Sequence, residues 1–266
     1  MEFMRNRIWV CVVASMLVGH PAPRRAEAQD PRRPVLDEAL GDLASDVPPV
    51  RIRALEKLLS LGVTRAEPNN VGAPATALVE TFPAEADRIK RGLVAALETE
   101  NLRHRSAQPG SLTETDTEYY AALIASVSAL RDVRAARALA GAIMTGGMAF
   151  EGIASLGAAG VPALLENLEV DPLWRGVPFV VDRMIKRGDA AAIAAVRAGL
   201  LGTLERGSPR ARIATLPALA RFSDPEVTSA VRALADHDPF VEVREGKNVF
   251  PVRVAAQAWL RERTKR

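Results

Sequence analysis

The chain has 266 residues, of which 48% are hydrophobic, 25% are charged and only 5% are aromatic. This apolar fraction excludes a disordered chain, and the shortage of aromatic residues favours helices packed through small side chains over a β-sandwich. The net charge of +3 and the lack of any run of five basic residues argue against nucleic acid as a partner, because nucleic-acid binding needs basic residues concentrated on one face.

The amino-terminal segment, residues 1–28, has the layout of a secretory signal peptide. Arginines precede an uncharged, mostly apolar run at 8–18, and Ala26 and Ala28 supply small residues before a cleavage site. This run is shorter than the roughly 20 residues that a membrane-spanning helix needs. We therefore predict an exported protein, periplasmic or extracellular, that is cleaved near Ala28 and has no membrane span afterwards. A retained signal anchor is the alternative.

Cysteine usage agrees with a mature chain that depends on packing alone. Cys11 is the only cysteine, and it lies inside the predicted signal. The mature chain would therefore have no disulfide, no thiol chemistry and no thiolate metal site. We expect residues 29–34 to be a flexible mature amino terminus and residues 35–266 to form the folded domain.

Helical spacing of apolar residues begins near Leu36. Leu36 and Leu40 share one predicted helix face, and a second apolar stripe starts at Val50 and ends at Gly62. Apolar residues three and four positions apart indicate amphipathic helices with one buried face. The intervening residues 45–49 contain two prolines, which cannot continue a helix.

Three polar segments depart from this pattern. We predict insertions at 63–82, 101–114 and 237–251, with a helix at 83–100 between the first two. In the third insertion, valines flank the sequence Glu-Gly-Lys-Asn, which is compatible with a short β-hairpin-like loop. Repeat proteins often place binding contacts in such loops. Tolerated insertion without a binding role is the alternative.

Predicted helix starts in the second half of the chain carry oxygen-bearing side chains suited to N-capping. Several of these residues are followed directly by proline, which is favoured at the first helical position. A capping box is also predicted from the Thr/Glu spacing before one apolar run. The predicted N-cap is Asp171, the other predicted helix starts are Asp132, Asp189, Ser208 and Asp224, and the predicted capping box is Thr115 with Glu118.

Helices also restart at a similar interval. The restart points Asp132, Ala159, Asp189 and Asp224 are spaced by 27, 30 and 35 residues, which is in the range of solenoid repeats. Because the connections are short, successive helices should run antiparallel. One helical pair exposes an apolar face that the next pair covers. We therefore predict an all-α fold, an α-solenoid of stacked antiparallel helical pairs, with a compact helical bundle as the alternative.

Several stretches resemble the HEAT-repeat family, including the short repeats of bilin-lyase-type proteins. The sequence LGAAGVPALLENL at 156–168 resembles the turn and second helix of that repeat. Pro217 followed by Asp224 resembles its kinked first helix and turn aspartate, and residues 252–260 resemble the start of a further first helix. The resemblance implies a helical scaffold that binds other macromolecules, and it implies no shared active site.

Residues with catalytic or metal-binding chemistry are few. The predicted mature chain has two histidines, His104 and His237. Asp236, His237 and Asp238 are adjacent, and three adjacent residues on one turn cannot all point at one ion without an unusual backbone. Helix-end capping and solvation are therefore favoured for them. No HExxH, CxxC, phosphate-loop or GxSxG sequence is present, so we predict no enzyme activity, no metal and no cofactor.

Four arginines are candidates for partner binding. Arg197 and Arg232 each lie eight residues after a restart aspartate, so stacking would align them in a row. Such a row could face an acidic partner, although Glu166 and Glu169 interrupt it and a solvated charged face is the alternative. The complete candidate set is Arg134, Arg137, Arg197 and Arg232.

The sequence thus favours an exported, non-enzymatic scaffold or adaptor that binds another protein through its helical surface. Two other functions stay open. One is a lyase or chaperone that acts on a prosthetic group, a function that the resemblance to short HEAT-like repeats suggests. The other is a hydrolase with an unrecognised site.

Overall fold

The computed structural model describes residues 30–62, 73–108 and 110–264. This part of the chain contains thirteen α-helices and one two-stranded hairpin, so the all-α prediction is confirmed. The predicted signal at 1–28 lies outside the described residues. The helices are α1 (Arg33–Asp42), α2 (Pro48–Gly62), α3 (Ala73–Thr81), α4 (Ala86–Ser106), α5 (Glu114–Leu130), α6 (Ala136–Gly141), α7 (Gly147–Ser155), α8 (Val161–Glu166), α9 (Val177–Arg187), α10 (Ala190–Arg206), α11 (Pro209–Leu219), α12 (Pro225–His237) and α13 (Pro251–Thr264), and the strands are β1 (Glu242–Arg244) and β2 (Lys247–Val249).

Contacts between the helices follow a regular order along the chain. In the odd series, α3, α5, α7, α9, α11 and α13, each helix packs against the next member of the series. The even series, α4, α6, α8, α10 and α12, has the same arrangement. At the amino-terminal end, α1 packs on α2 and α2 packs on α3. From α3 onward, each helix therefore contacts the helix two positions away, and most also contact a helix next to them in the sequence.

The core consists of the apolar stripes that these helices turn toward one another. Fully buried side chains come from both series, including Leu97 of α4, Leu123 of α5, Leu139 of α6 and Ile153 of α7. Each such side chain stabilises the fold by about 1.5–3 kcal/mol relative to its exposed state. Most buried apolar side chains from α1 to α13 belong to one connected cluster, so the described helices share a core.

No single helix in the described ranges combines the length and the apolarity that a membrane span requires. One pair of segments, Gly147–Ser155 with Gly157–Glu169, meets that test only when its two parts are taken together, and they are bent by 119°.

Local capping explains where most of the later helices begin. Asp189, Ser208 and Asp224 each accept a hydrogen bond from the backbone N–H three residues further on, at 3.0, 3.1 and 3.0 Å. Asp132 accepts from the N–H of Arg134 at 3.0 Å. Each cap satisfies a backbone donor that the first turn leaves free, and it contributes roughly 1 kcal/mol. The four helix starts predicted at these residues are confirmed.

Two predicted helix starts are wrong. The capping box of α5 is formed by Thr113 and Asp116, two residues before the predicted pair, because Asp116 reaches back to the N–H of Thr113 at 3.0 Å. Asp171 does not cap a helix, because its carboxylate pairs with Arg210 at 3.2 Å. A 3₁₀ turn at Leu173–Gly176 then leads into α9.

The predicted insertions are shorter than expected. Residues 73–81 of the first form α3, which packs against α2 and α5, while residues 63–72 lie outside the description. Helix α4 continues through Ser106, beyond its predicted end at Glu100, because Glu100 and Asn101 are buried against neighbouring helices. Nonlocal packing therefore overrides the polar composition of both segments.

The third insertion contains the hairpin that its valine pattern allowed. Strands β1 and β2 pair antiparallel, with Val243 opposite Asn248. Glu245 and Gly246 connect them with φ angles of +51° and +72°. Two successive residues with positive φ match the twist of a tight hairpin turn. Val243 is exposed.

Glycine allows α2 and α3 to approach closely. A Cβ at Gly62 would meet the Pro74 carbonyl oxygen and lie 2.5 Å from the Leu78 backbone nitrogen. Because these are backbone atoms, we expect Gly62→Ala to lower the free energy of unfolding by about 1–3 kcal/mol. Gly41→Ala in α1 is the matched control, since no atom lies within 4 Å of its Cβ position. It should stabilise by roughly 0.5–1 kcal/mol. Urea unfolding of both variants tests this, and equal effects would contradict it.

Candidate functional site

The predicted row of arginines lies on the even series. Arg134 is in the 3₁₀ turn Val133–Ala135 that enters α6, Arg137 is on α6, Arg197 is on α10 and Arg232 is on α12. Three of these four arginines form ion pairs within the chain. Arg232 is exposed and has no ion-pair partner among the residues that the structure describes.

Two of the ion pairs link α6 to the helices on either side of it. Arg134 Nη1 lies 2.6 Å from Asp87 of α4, and its Nη2 lies 2.6 Å from Asp132. These carboxylates raise the pKa of Arg134, and the Asp132 hydrogen bond is the largest cause. Arg137 lies 3.0 Å from Glu166 of α8, at a well-exposed position. Glu166 was predicted to interrupt the row of arginines, but in the structure it is the ion-pair partner of Arg137.

A third ion pair joins α10 to α12. Arg197 Nη2 lies 2.7 Å from Asp224 and 2.5 Å from Glu226. The guanidinium lowers the pKa of Asp224, which also caps α12. The arginines thus connect successive helices of the even series. A partner that uses Arg134, Arg137 or Arg197 would compete with carboxylates of the same chain, and the partner-binding role of the row stays a prediction.

A second group of polar side chains lies inside the fold, where α2, α4 and α5 meet. The sequence did not predict it. We call it the Glu100 cluster, and its members are Arg51, Glu100, Asn101, Arg103, His104, Asp116, Tyr119 and Tyr120.

Glu100 is the central anion of the cluster. Its side chain is only 1% exposed, and Arg51 Nε and Arg103 Nη1 lie 2.9 and 3.3 Å from its oxygens. Arg51 is also buried, and its Nη1 donates a hydrogen bond to the Ser45 carbonyl at 3.0 Å. A buried carboxylate is costly unless it is paired, so the two arginines from different helices are needed to hold Glu100 in place.

Asp116 extends the cluster to the start of α5. Burial favours the neutral carboxyl, but hydrogen bonds from Thr113 and the ion pair with Arg103 at 2.8 Å outweigh it. The pKa of Asp116 is therefore lowered to about 2. Arg103 thus bridges two carboxylates, Glu100 and Asp116, and connects α4 to α5.

Two tyrosines form the other side of the cluster. Tyr120 donates to Asn101 Oδ1 at 2.5 Å, and Asn101 Nδ2 donates to the Ala138 carbonyl of α6 at 2.7 Å. Burial raises the pKa of Tyr119 and of Tyr120 to about 12, so both hydroxyls stay protonated at neutral pH. Asn167 makes the equivalent contact from the other side of α6, donating to the Ala140 carbonyl at 2.7 Å.

Several atoms of the cluster are buried without a hydrogen-bond partner among the described residues. They include Arg51 Nη2, His104 Nε2 and the Tyr119 hydroxyl. Arg51 Nε is close to Glu100, but its alignment does not meet hydrogen-bond geometry. Unsatisfied buried polar atoms cost about 1–3 kcal/mol each and are rare in native proteins. Their concentration marks this region as the best candidate for a functional site.

His104 lies at the edge of the cluster, beside an open cavity of about 380 Å³. Its ring stacks on Tyr120 with centroids 3.9 Å apart, and its Nε2 lies 3.9 Å from Glu100. Burial lowers the pKa of His104, despite the attraction of Glu100, and this favours the neutral imidazole. We call this space the His104 cavity, and it is lined by Asn101, His104, Arg105, Tyr120, Gly141, Ala142, Met144, Thr145, Asp171, Pro172 and Leu173.

One local signal for this site was present in the sequence. Glu100, Arg103 and His104 are three and four residues apart, which puts them on one face if the helix continues. The helix was predicted to end at Glu100, and the residues after it were predicted to form an insertion. Arg51 and Asp116 contact this face from distant positions, and no local pattern connects them to it.

The Asp236–Asp238 segment has a structural role. Asp238 is buried, lies 2.9 Å from Arg212 and accepts from the Phe240 N–H at 3.0 Å. His237 and Asp236 are exposed at the end of α12. Within the described ranges, no group of three or more His, Cys, Asp or Glu residues is arranged to hold a metal ion.

Comparisons with known proteins found no matching family model, no matching curated protein and no matching solved structure. The candidate site is therefore assessed on its own geometry.

Removing the central anion should destabilise the fold strongly. Glu100→Gln leaves the buried Arg51 without a carboxylate, and we expect a loss of about 3–5 kcal/mol in the free energy of unfolding. Glu38→Gln is the control, because Glu38 pairs with Lys57 on the surface and should change stability by less than about 1 kcal/mol. The double change Arg51→Met with Glu100→Leu should recover much of the loss. Similar losses for Glu100→Gln and Glu38→Gln would show that the buried pair is unimportant.

The low pKa of Asp116 predicts acid sensitivity. Its ordinary value of 3.8 falls to about 2 in the folded protein, so the unfolded chain binds the proton more tightly. Asp116 therefore contributes about 2 kcal/mol of stability above pH 4–5, and this is lost as the pH falls toward 2. Urea unfolding measures the difference in free energy of unfolding between the native chain and Asp116→Asn. This difference should shrink as the pH is lowered from 6 to 2.5. Asp46→Asn, at an exposed position, is the control, and a difference for Asp116→Asn that does not vary with pH would refute the assignment.

Proposed function

We propose that this protein is an exported, non-enzymatic scaffold, whose helices stack as a HEAT-like α-solenoid and bind a partner protein along their exposed surface. The order of helix contacts carries the proposal. Within the odd series and within the even series, each helix packs on the next member, as expected when repeated pairs cover one another's apolar faces. The carboxyl-terminal helix α13 continues this order, packing on α11 and α12.

The ion pairs of the even series support the same proposal. Arg134, Arg137 and Arg197 each reach a carboxylate on an adjacent helix of that series. Such contacts favour one arrangement of neighbouring helices, although each exposed pair adds at most about 1 kcal/mol. A scaffold needs this kind of regular frame, because the affinity for its partner depends on contact groups held in a constant arrangement.

An aromatic pair on the odd series is the proposed contact for the partner. Phe150 of α7 and Phe179 of α9 stack with their ring centroids 5.4 Å apart, and Phe179 is 52% exposed. Exposed aromatic side chains are enriched among the residues that dominate protein–protein binding energy. Because the stack joins two helices of one series, the proposed frame would also orient it.

Crosslinking capture from an envelope fraction tests this proposal. The exported chain should recover a specific protein, and Phe179→Ala should reduce that recovery by tenfold or more, since a central aromatic contact contributes at least about 2 kcal/mol. Leu102→Ala, at an exposed apolar position on α4, is the matched control and should bind normally. Recovery of abundant proteins alone, with no difference between the two variants, would count against the scaffold. Sequencing the amino terminus of the captured chain checks the predicted cleavage near Ala28.

A further inference from the structure

The His104 cavity has an uncompensated positive charge at its rim. Arg105 is exposed and pairs with no carboxylate in the described part of the chain. Asp171 is the only acidic residue among the described residues lining the cavity, and it already pairs with Arg210 at 3.2 Å. Glu100, which lies behind His104, is neutralised by Arg51 and Arg103. The cavity therefore favours an anionic group.

Hydrogen-bond donors converge beside that charge. From the position that a Cβ of residue 141 would occupy, Asn101 Nδ2 is 2.6 Å away and Arg105 Nη1 is 3.6 Å away. Asn101 Nδ2 uses one hydrogen for the Ala138 carbonyl, and an amide nitrogen carries two. Because Gly141 has no side chain, the Asn101 amide can lie against the backbone of α6 at this position. The guanidinium and the amide are therefore near enough to each other to donate to one acceptor group in the cavity.

The rest of the lining is largely apolar. Met144, Leu173, Pro172 and Ala142 lie on the side contributed by the segments after α6 and before α9. Met144 is 48% exposed. A volume of about 380 Å³ is within the range of small-molecule pockets and suits a group of a few carbon atoms. The lining thus combines an anion-binding end with an apolar surface.

We propose that the His104 cavity binds a carboxylate carried on a short apolar group, with Arg105 and Asn101 as its donors. A single guanidinium and an amide match the planar geometry and single charge of a carboxylate. Two sources supply this chemistry: the carboxyl terminus of a peptide that ends in an aliphatic residue, and a free short-chain carboxylic acid. The inference stands apart from the scaffold proposal, because it concerns a different surface.

Isothermal titration calorimetry of the full exported chain tests the inference with three probes. They are butyrate, a heptapeptide that ends in leucine with a free carboxylate, and the same peptide with an amidated end. Binding of the acidic peptide but not of butyrate identifies a protein terminus as the source, and the reverse identifies a free acid. Equal binding of the acidic and amidated peptides, or no binding of either acid at millimolar concentration, would overturn the proposal.

Variants separate the cavity from nonspecific charge. Arg105→Ala should lower the affinity for whichever acid binds by tenfold or more, and Arg105→Lys should lower that affinity less. Arg53→Ala, an exposed arginine on α2 without an ion pair among the described residues, is the control and should bind as the native chain does. Gly141→Ala should also weaken binding, because its Cβ would lie 2.6 Å from Asn101 Nδ2 and displace that donor. Unchanged affinity in Arg105→Ala, with the circular dichroism of the native chain, would refute the role of this cavity.

Discussion

The structure depends on the mutual burial of the apolar faces of its helices, both against the next helix in the chain and, from α3 onward, against the next helix of the same series. Short helices such as α6 and α8 are too short to be stable alone in water, so their stability comes from neighbours in their series and from chain-adjacent helices. Leu139 and Leu164 are fully buried for this reason. With no cysteine in the predicted mature chain, this apolar packing has no covalent reinforcement.

The Glu100 cluster is the main exception to that apolar interior. Two arginines, one glutamate and one aspartate share the junction of α2, α4 and α5. Charges in such a place contribute little net stability, but any one of them left alone is costly. The cluster therefore constrains which residues of these helices face one another, and it places His104 and Asn101 beside the cavity. Asn101, His104 and Tyr120 belong both to the cluster and to the lining of the proposed ligand pocket.

The predicted arginine row and the exposed aromatic stack lie on different series of helices. The arginines predicted to bind a partner lie on the even series, where three of them pair with neighbouring helices. The Phe150–Phe179 stack lies on the odd series. The proposed scaffold function rests on the aromatic pair, because exposed aromatic side chains are enriched among the residues that dominate protein–protein binding energy. Exposed ion pairs add at most about 1 kcal/mol each.

Local chemistry determined the helical class, the hairpin and the helix starts at Asp132, Asp189, Ser208 and Asp224, because a capping side chain bonds to a backbone group two or three residues away. Tertiary structure alone decided that α4 continues past Glu100, since the groups that pair there with Glu100 and Asn101 come from Arg51, Tyr120 and the carbonyl of Ala138. Tertiary structure also decided that Glu166 forms an ion pair with Arg137. Such contacts connect residues 19 to 49 positions apart, and a side chain's sequence neighbours do not specify which distant groups will surround it.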